Sequence, residues 1–249
     1  MTVLLLRLAG PLQSWGSDAR FARRGTENAP TKSGVLGLLA AAEGRPRTAD
    51  LSDLAALRFG VRIDQPGSRL RDFQTAHHAD SGKAMPLSER FYLADAVFVA
   101  GVEGNPGLLS RLDQALDAPR FLPYLGRRSC PPSRPVRMGP PVEDVALEEA
   151  LRAAPWQASR WYVDQCEREA NREGAQRHLD LLVDCEPAEI PHQSLRDVPV
   201  SFDPRHRRYE LRGVRTDHVP IPPDHDPTPV LRPVGPPTAD PEKRPPRTA

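Results

Sequence analysis

The chain has 249 residues, a formal net charge of +1 and 39% hydrophobic residues, with 29 prolines among them. That is ample material for one large or two small domains, and no apolar run approaches the ~18 residues needed to span a membrane. Cys130, Cys166 and Cys185 are far apart and odd in number, so neither a disulfide framework nor a zinc site is suggested. The first residues are too short and too uncharged for a signal segment. The expectation is a cytoplasmic protein with no cofactor and no resident metal.

Val3 to Leu8 reads as a short buried strand, closed by Ala9-Gly10-Pro11. Ser33 reads as the N-cap of a helix over Gly34–Ala42 that ends near Gly44. A short helix over Leu51–Leu57 follows. Phe59, Val61 and Ile63 then alternate with Gly60, Arg62 and Asp64, the period-two pattern of a half-buried strand. Residues 66–90 are polar and glycine-punctuated, an excursion in the form of a long hairpin. Tyr92–Val102 reads as a strand and Leu108–Leu116 as an amphipathic helix. This order fits an α+β, ferredoxin-like or RRM-like core over residues 1–140. Residues 141–216 add a helix around Val145–Ala154 and strands at Trp161–Cys166, Leu179–Cys185 and Tyr209–Val214, either as a second domain or as added sheet. From Asp217 onward 11 of 33 residues are proline, so 217–249 is expected to be a disordered Pro-rich tail.

The near-neutral total hides a polarity. Residues 1–137 carry 19 Lys/Arg against 13 Asp/Glu, whereas 138–216 carry 11 against 15, as expected if one face meets an anion. No Asp or Glu occurs from Ala118 to Val142, while Arg120, Arg127, Arg128, Arg134 and Arg137 all fall there. Prolines make Pro119–Pro131 a poor helix or central strand, so Arg120, Tyr124, Arg127, Arg128 and Ser129 are placed on an ordered loop. Guanidinium forks grip phosphate and flat rings stack on unpaired bases, which makes RNA the matching ligand. A solvated basic loop is the plainer alternative, and Arg134 and Arg137 would equally serve a protein neighbour. Further candidates are Arg20, Arg23 and Arg24 in a basic loop, and Arg69 and Arg71 at the start of the excursion. Lys32 and Ser33 lie at a helix start that favours an anion, although a simple cap with a solvated lysine fits too. Gln13 and Trp15 suit a base edge and a stacked base, or else a turn residue and a core plug. His77, Lys83 and Tyr92 are the residue types of a metal-independent ribonuclease, but no spacing fixes them around one phosphate.

Four blocks in this order carry a resemblance: Arg7-Leu-Ala-Gly-Pro-Leu-Gln-Ser-Trp-Gly16, Pro30-Thr-Lys-Ser-Gly-Val-Leu-Gly-Leu-Leu39, Arg71-Asp-Phe-Gln-Thr75 and Pro119–Pro131. Together they resemble the CasD-like members of the fifth Cas family, the type I-E Cascade branch of the CRISPR RAMP superfamily. The likeness is plain over 1–140 and looser to about 216. It implies an RRM-like core with a protruding hairpin thumb at about 66–90 and extra C-terminal β elements. It also implies a non-catalytic scaffold that holds the 5′ handle of the crRNA and touches the adjacent Cascade backbone subunit and the large, PAM-reading subunit. Target DNA would be met only indirectly, through the complex. A repeat-cleaving endoribonuclease of the same superfamily is the rival, and a general single-stranded RNA-binding module is the third reading.

Overall fold

The computed structural model describes residues 1–16, 23–173, 178–186 and 188–226. Arg20 and residues 227–249 of the expected tail lie outside the described residues.

Aliphatic, β-branched stretches make the first half of the fold. β1 (Thr2–Ala9) leads through the short pairs β2 (Leu12–Gln13) and β3 (Arg23–Arg24) to α1 (Lys32–Glu43) and the single turn α2 (Ser52–Ala55). Next come β4 (Arg58–Gln65), β5 (Ser68–Gln74), β6 (Ser88–Ala94), β7 (Val97–Gly104), α3 (Pro106–Asp117) and β8 (Val142–Glu143). Strands β8-β1-β7-β4 lie side by side and antiparallel, the four-strand order of a ferredoxin-like core. Leu4, Leu6, Leu8 and Phe98 turn to one face, where α1 and α3 cover them with Leu36, Leu39, Leu109 and Leu112. The α1 cap is Thr31, one residue after Pro30, and not Ser33: the Thr31 hydroxyl accepts from the Gly34 N–H and the helix starts at Lys32.

The segment after residue 141 is added sheet. It supplies α4 (Leu147–Ala153), α5 (Arg160–Glu173), β9 (His178–Asp184), β10 (Gln193–Ser201) and β11 (Arg208–Pro220). β9 pairs with β4, extending the core to seven strands in the order β10-β11-β9-β4-β7-β1-β8. α4 sits flat on the second face because the cross-strand neighbours Gly60 and Gly101 leave room for Leu147 and Leu151; a Cβ on Gly101 would meet Leu147 at 2.7 Å. α5, with Tyr162, Val163 and Cys166, belongs to the same cluster.

Several expectations are corrected. Trp161–Cys166 is not a strand but the start of α5, since Tyr162, Val163 and Cys166 recur at helical spacing between polar residues. Arg62 and Asp64 do not face water. Both are fully buried, forked together at 2.7 and 2.9 Å, with the remaining Arg62 donors on the Leu151, Ala154 and Pro155 carbonyls. Burial pushes the Asp64 carboxyl up, and the Arg62 pairing offsets only part of that. Tyr92–Val102 breaks at Asp95, whose φ of 57° turns the chain, so its first part belongs to the hairpin and only its second to the main sheet. β10 lies where the sequence pattern predicts no strand. The tail does not begin at Asp217: β11 runs to Pro220, and residues 221–226 lie against Trp156, which bridges His225.

Candidate nucleic-acid interface

In an RRM the open sheet face takes the RNA. Here α4, α5 and residues 221–226 cover that face, so any RNA site must lie elsewhere. The excursion is a β-hairpin: β5 pairs antiparallel with β6 from Ser68↔Ala94 to Gln74↔Ser88, with a bridge His77↔Ala84 nearer its tip. β2 and β3 pair along the other edge of β6, Gln13 with Leu93 and Arg24 with Arg90.

Four expected contacts turn inward, which corrects them as ligand groups. Gln13 is fully buried, donates to the Leu8 and Ala96 carbonyls at 2.9 and 2.7 Å, and accepts from the Trp15 indole at 3.1 Å. Trp15 is the core plug, lying against Gly34. The anion site at the α1 start exists but is filled from within. Asp197, fully buried on β10, accepts from the Lys32 backbone N–H at 2.7 Å, and the Lys32 ammonium pairs with Asp184 at 2.9 Å. Arg212 completes the cluster with two bonds to Asp197 and one to Asp184. Burial pulls its guanidinium down, but the two carboxylates outweigh that and hold it above its ordinary value. Ser33 is buried beside this cluster. A dipole-favoured anion at a helix start is thus supplied by the protein's own carboxylate.

The remaining arginines gather at the hairpin root. The loop Pro119–Pro131 is irregular but tightly tied: Leu125 N–H donates to the Cys130 carbonyl, Cys130 N–H to that of Arg127, and Ser14 N–H to that of Leu125. Leu125 and Cys130 are fully buried, and burial pushes the Cys130 thiol up, so it packs as an apolar group. This tie presents Arg127 to β6. Its guanidinium stacks 4.8 Å from the Tyr92 ring centre and donates to the Arg24 carbonyl at 2.9 Å and the Gly25 carbonyl at 3.4 Å. Its other terminal nitrogen, Nη1, is buried without a partner among the described residues, as is Nε of Arg90. Side chains alternate along β6, so Arg90 and Tyr92 share one face with Arg24, while Glu89 and Phe91 share the other with Arg23 and Arg71. There Arg23 lies 5.3 Å from the Phe91 ring centre, and Arg71 lies over Phe73 at 4.8 Å while pairing with Glu89. Exposed Arg128 and Ser129 flank Arg127, with Tyr124 half-buried on the same loop. Guanidiniums stacked on aromatic rings at an exposed basic loop suit a phosphate chain carrying unstacked bases.

A family model described as CRISPR-associated protein (Cas_Cas5) matches residues 3–215. The chain belongs to the Cas5 family of CRISPR-associated proteins. Among relatives, the CRISPR system Cascade subunit CasD of Escherichia coli (strain K12) is 39% identical over 157 residues, covering 55% of this chain and 70% of the relative. A solved structure described as a crystal structure of Cas protein is 38% identical, with TM-score 0.67 and coverage of 88% of this chain and 97% of that one. A chain of a CRISPR RNA-guided surveillance complex is 34% identical, with TM-score 0.72 and coverage of 89% and 91%. The family match thus runs through the added sheet, which is part of the same unit.

In this Cas5-family chain other expected residues are separated from the root or tied within the protein. Arg120 stands at the opposite end of α1, its N–H on the Ala42 carbonyl and its stem against Gly44; twelve residues of helix put it about 18 Å from the Lys32 end. Arg134 and Arg137 are paired internally, with Asp226 and Asp113. Arg69 is held by Asn28 and the Thr26 carbonyl. His77 and Lys83 lie near the hairpin tip, whereas Tyr92 is buried at its root beneath Arg127, so the three do not surround one phosphate. Among the described residues no His, Cys, Asp and Glu group is placed to hold a metal, and no helix is long and apolar enough to cross a membrane. Arg90 and Phe91, which the candidate site brings beside Arg24 and Arg23, were not among the expected residues, although the adjacent Arg90-Phe91-Tyr92 joins a cation to two rings in the sequence.

Proposed function

We propose that this Cas5-family protein is a crRNA-binding subunit of a CasD-like, type I-E Cascade complex in the cytoplasm, where it holds the 5′ handle of the guide RNA at the hairpin root and acts by position without cleaving it. The observation that carries this reading is the Arg127 guanidinium, stacked on Tyr92 and clamped to β3 with one nitrogen unspent. The hairpin is the thumb. Its exposed Leu70, Phe73, Met85 and Leu87, with Phe121 and Leu122 on the basic loop, are apolar surface of the kind that protein neighbours cover. The adjacent backbone subunit and the large PAM-reading subunit are those neighbours, and target DNA reaches the chain only through the complex.

Arg127→Ala with Arg128→Ala is expected to weaken repeat-RNA binding roughly 10–100-fold. The slope of log K against log salt should become shallower by about 1.4, at ~0.7 per lost phosphate contact on a single strand. Filter binding across a salt series reads both quantities, and an unchanged slope sinks the site. A second expectation separates scaffold from nuclease: end-labelled repeat RNA incubated with the protein in EDTA stays intact on a denaturing gel. A discrete cut that disappears in His77→Ala would replace the scaffold reading with a processing enzyme.

A further inference from the structure

One charge cluster is left unused by the Arg127 site. Arg7 on β1 and Arg134 beyond the basic loop converge on the carboxylate of Asp226, at 2.7 and 3.3 Å, with side-chain exposures of only 11% and 10%. Arg7 also donates to Gln157, and Arg134 to the Asp226 carbonyl at 3.2 Å. Two guanidiniums therefore share one carboxylate, which is itself 45% exposed. The next acid, Asp64, is engaged by Arg62 and by the Gln157 N–H. Burial, and then the charge of Arg134, pulls the Arg7 guanidinium below its ordinary value, and Asp226 offsets only part of it. The site is one negative charge short.

Asp226 is delivered by a short strap. Trp156 N–H donates to the Asp224 carbonyl at 2.7 Å, Asp226 N–H donates to the Trp156 carbonyl at 2.9 Å, and the His225 ring rests on Trp156 and bonds the Ala158 carbonyl. Asp224 is exposed and His225 and Asp226 are half-buried, so these three can lift while Ile221 and buried Pro222 stay in place. The cluster is also continuous with the basic loop: Ser133 N–H donates to the Ala9 carbonyl, and Pro131 and Pro132 lead straight from Arg127–Ser129 to it. We propose that Arg7 and Arg134 form a second phosphate-binding site, filled in the free chain by the Asp226 carboxylate and taken over by a backbone phosphate of the guide RNA on loading. This rests on reading the protein as crRNA-binding. A phosphodiester matches the two forks and would neutralise them in place of the strap.

The test uses the full chain with Asp226→Asn, Arg134→Gln and the two combined. Melting is followed in chloride and in inorganic phosphate at equal ionic strength. Asp226→Asn is expected to melt several degrees lower in chloride and to recover in phosphate more than the wild type; an equal phosphate shift in both overturns the site, whatever RNA does. In RNA titrations Asp226→Asn is expected to bind about 3–10-fold tighter, with a salt slope steeper by ~0.7. Arg134→Gln should cancel that gain in the double variant. Selective phosphate recovery with unchanged RNA affinity would overturn RNA as the occupant and leave a free-phosphate site. Arg127→Ala in the same series keeps the two readings apart: weakening there with no Asp226→Asn effect sinks only the second site, and no effect of Arg127→Ala sinks the reading beneath it.

Discussion

Asp197→Ala is expected to lower the free energy of unfolding by about 3–5 kcal/mol, the cost of leaving a buried ion network with one partner removed. Asp197 is fully buried and accepts three bonds, two from Arg212 and one from the Lys32 N–H. Without it, Arg212 faces Lys32 with only Asp184 between them, and the α1 start loses its internal anion. Because Asp197 comes from β10 and Lys32 from α1, the loss removes a tie between the added sheet and the helix face of the core, while the β4–β9 pairing remains. Urea denaturation measures it, and a change below ~1 kcal/mol would show that water replaces the carboxylate. Arg212→Met in the Asp197→Ala background should recover part of the loss, since removing the stranded charge removes its desolvation cost.

Gly126→Ala is expected to abolish most RNA binding although no arginine is removed from the chain. Gly126 has φ of +83°, where a side chain is strained, and a Cβ there would lie 1.8 Å from the Ser14 carbonyl oxygen. The loop cannot accept that atom without lifting off Ser14, and the lift carries Arg127 away from Tyr92 and β3. The RNA affinity should therefore fall as far as in the Arg127→Ala, Arg128→Ala pair, with a stability loss of about 1–3 kcal/mol. Intact binding by a folded Gly126→Ala protein would mean that charge alone, rather than a fixed guanidinium, holds the RNA.

What could be read from the chain was what is local. The 1–140 core was legible because β1, α1, β4 and α3 each carry their own period, and an aliphatic strand or a capped amphipathic helix needs little beyond its own residues. The hairpin was visible as a polar interruption between two strands. The arginines of Pro119–Ser129 stood out because proline and the lack of acids are properties of composition. Arg62 and Asp64 were misread for the same reason: the alternating pattern assigns them to solvent, and only the α4–Pro155 segment, almost a hundred residues on, buries them.

The sequence by itself determined the family, the ferredoxin-like order and the basic loop, since these rest on motifs and on periods a few residues long. Only the tertiary structure decided which cations are free. Lys32, Arg7, Arg134 and Arg137 look like Arg127 in the sequence, yet each meets a carboxylate from a distant segment: Asp184, Asp226, again Asp226, and Asp113. Arg127 meets only carbonyls and a ring. Whether a charge is spent or available depends on what lies within a few ångströms of it, because Coulomb attraction between exposed groups fades over that range in water. Chain neighbours do not reveal that proximity, and the fold creates it.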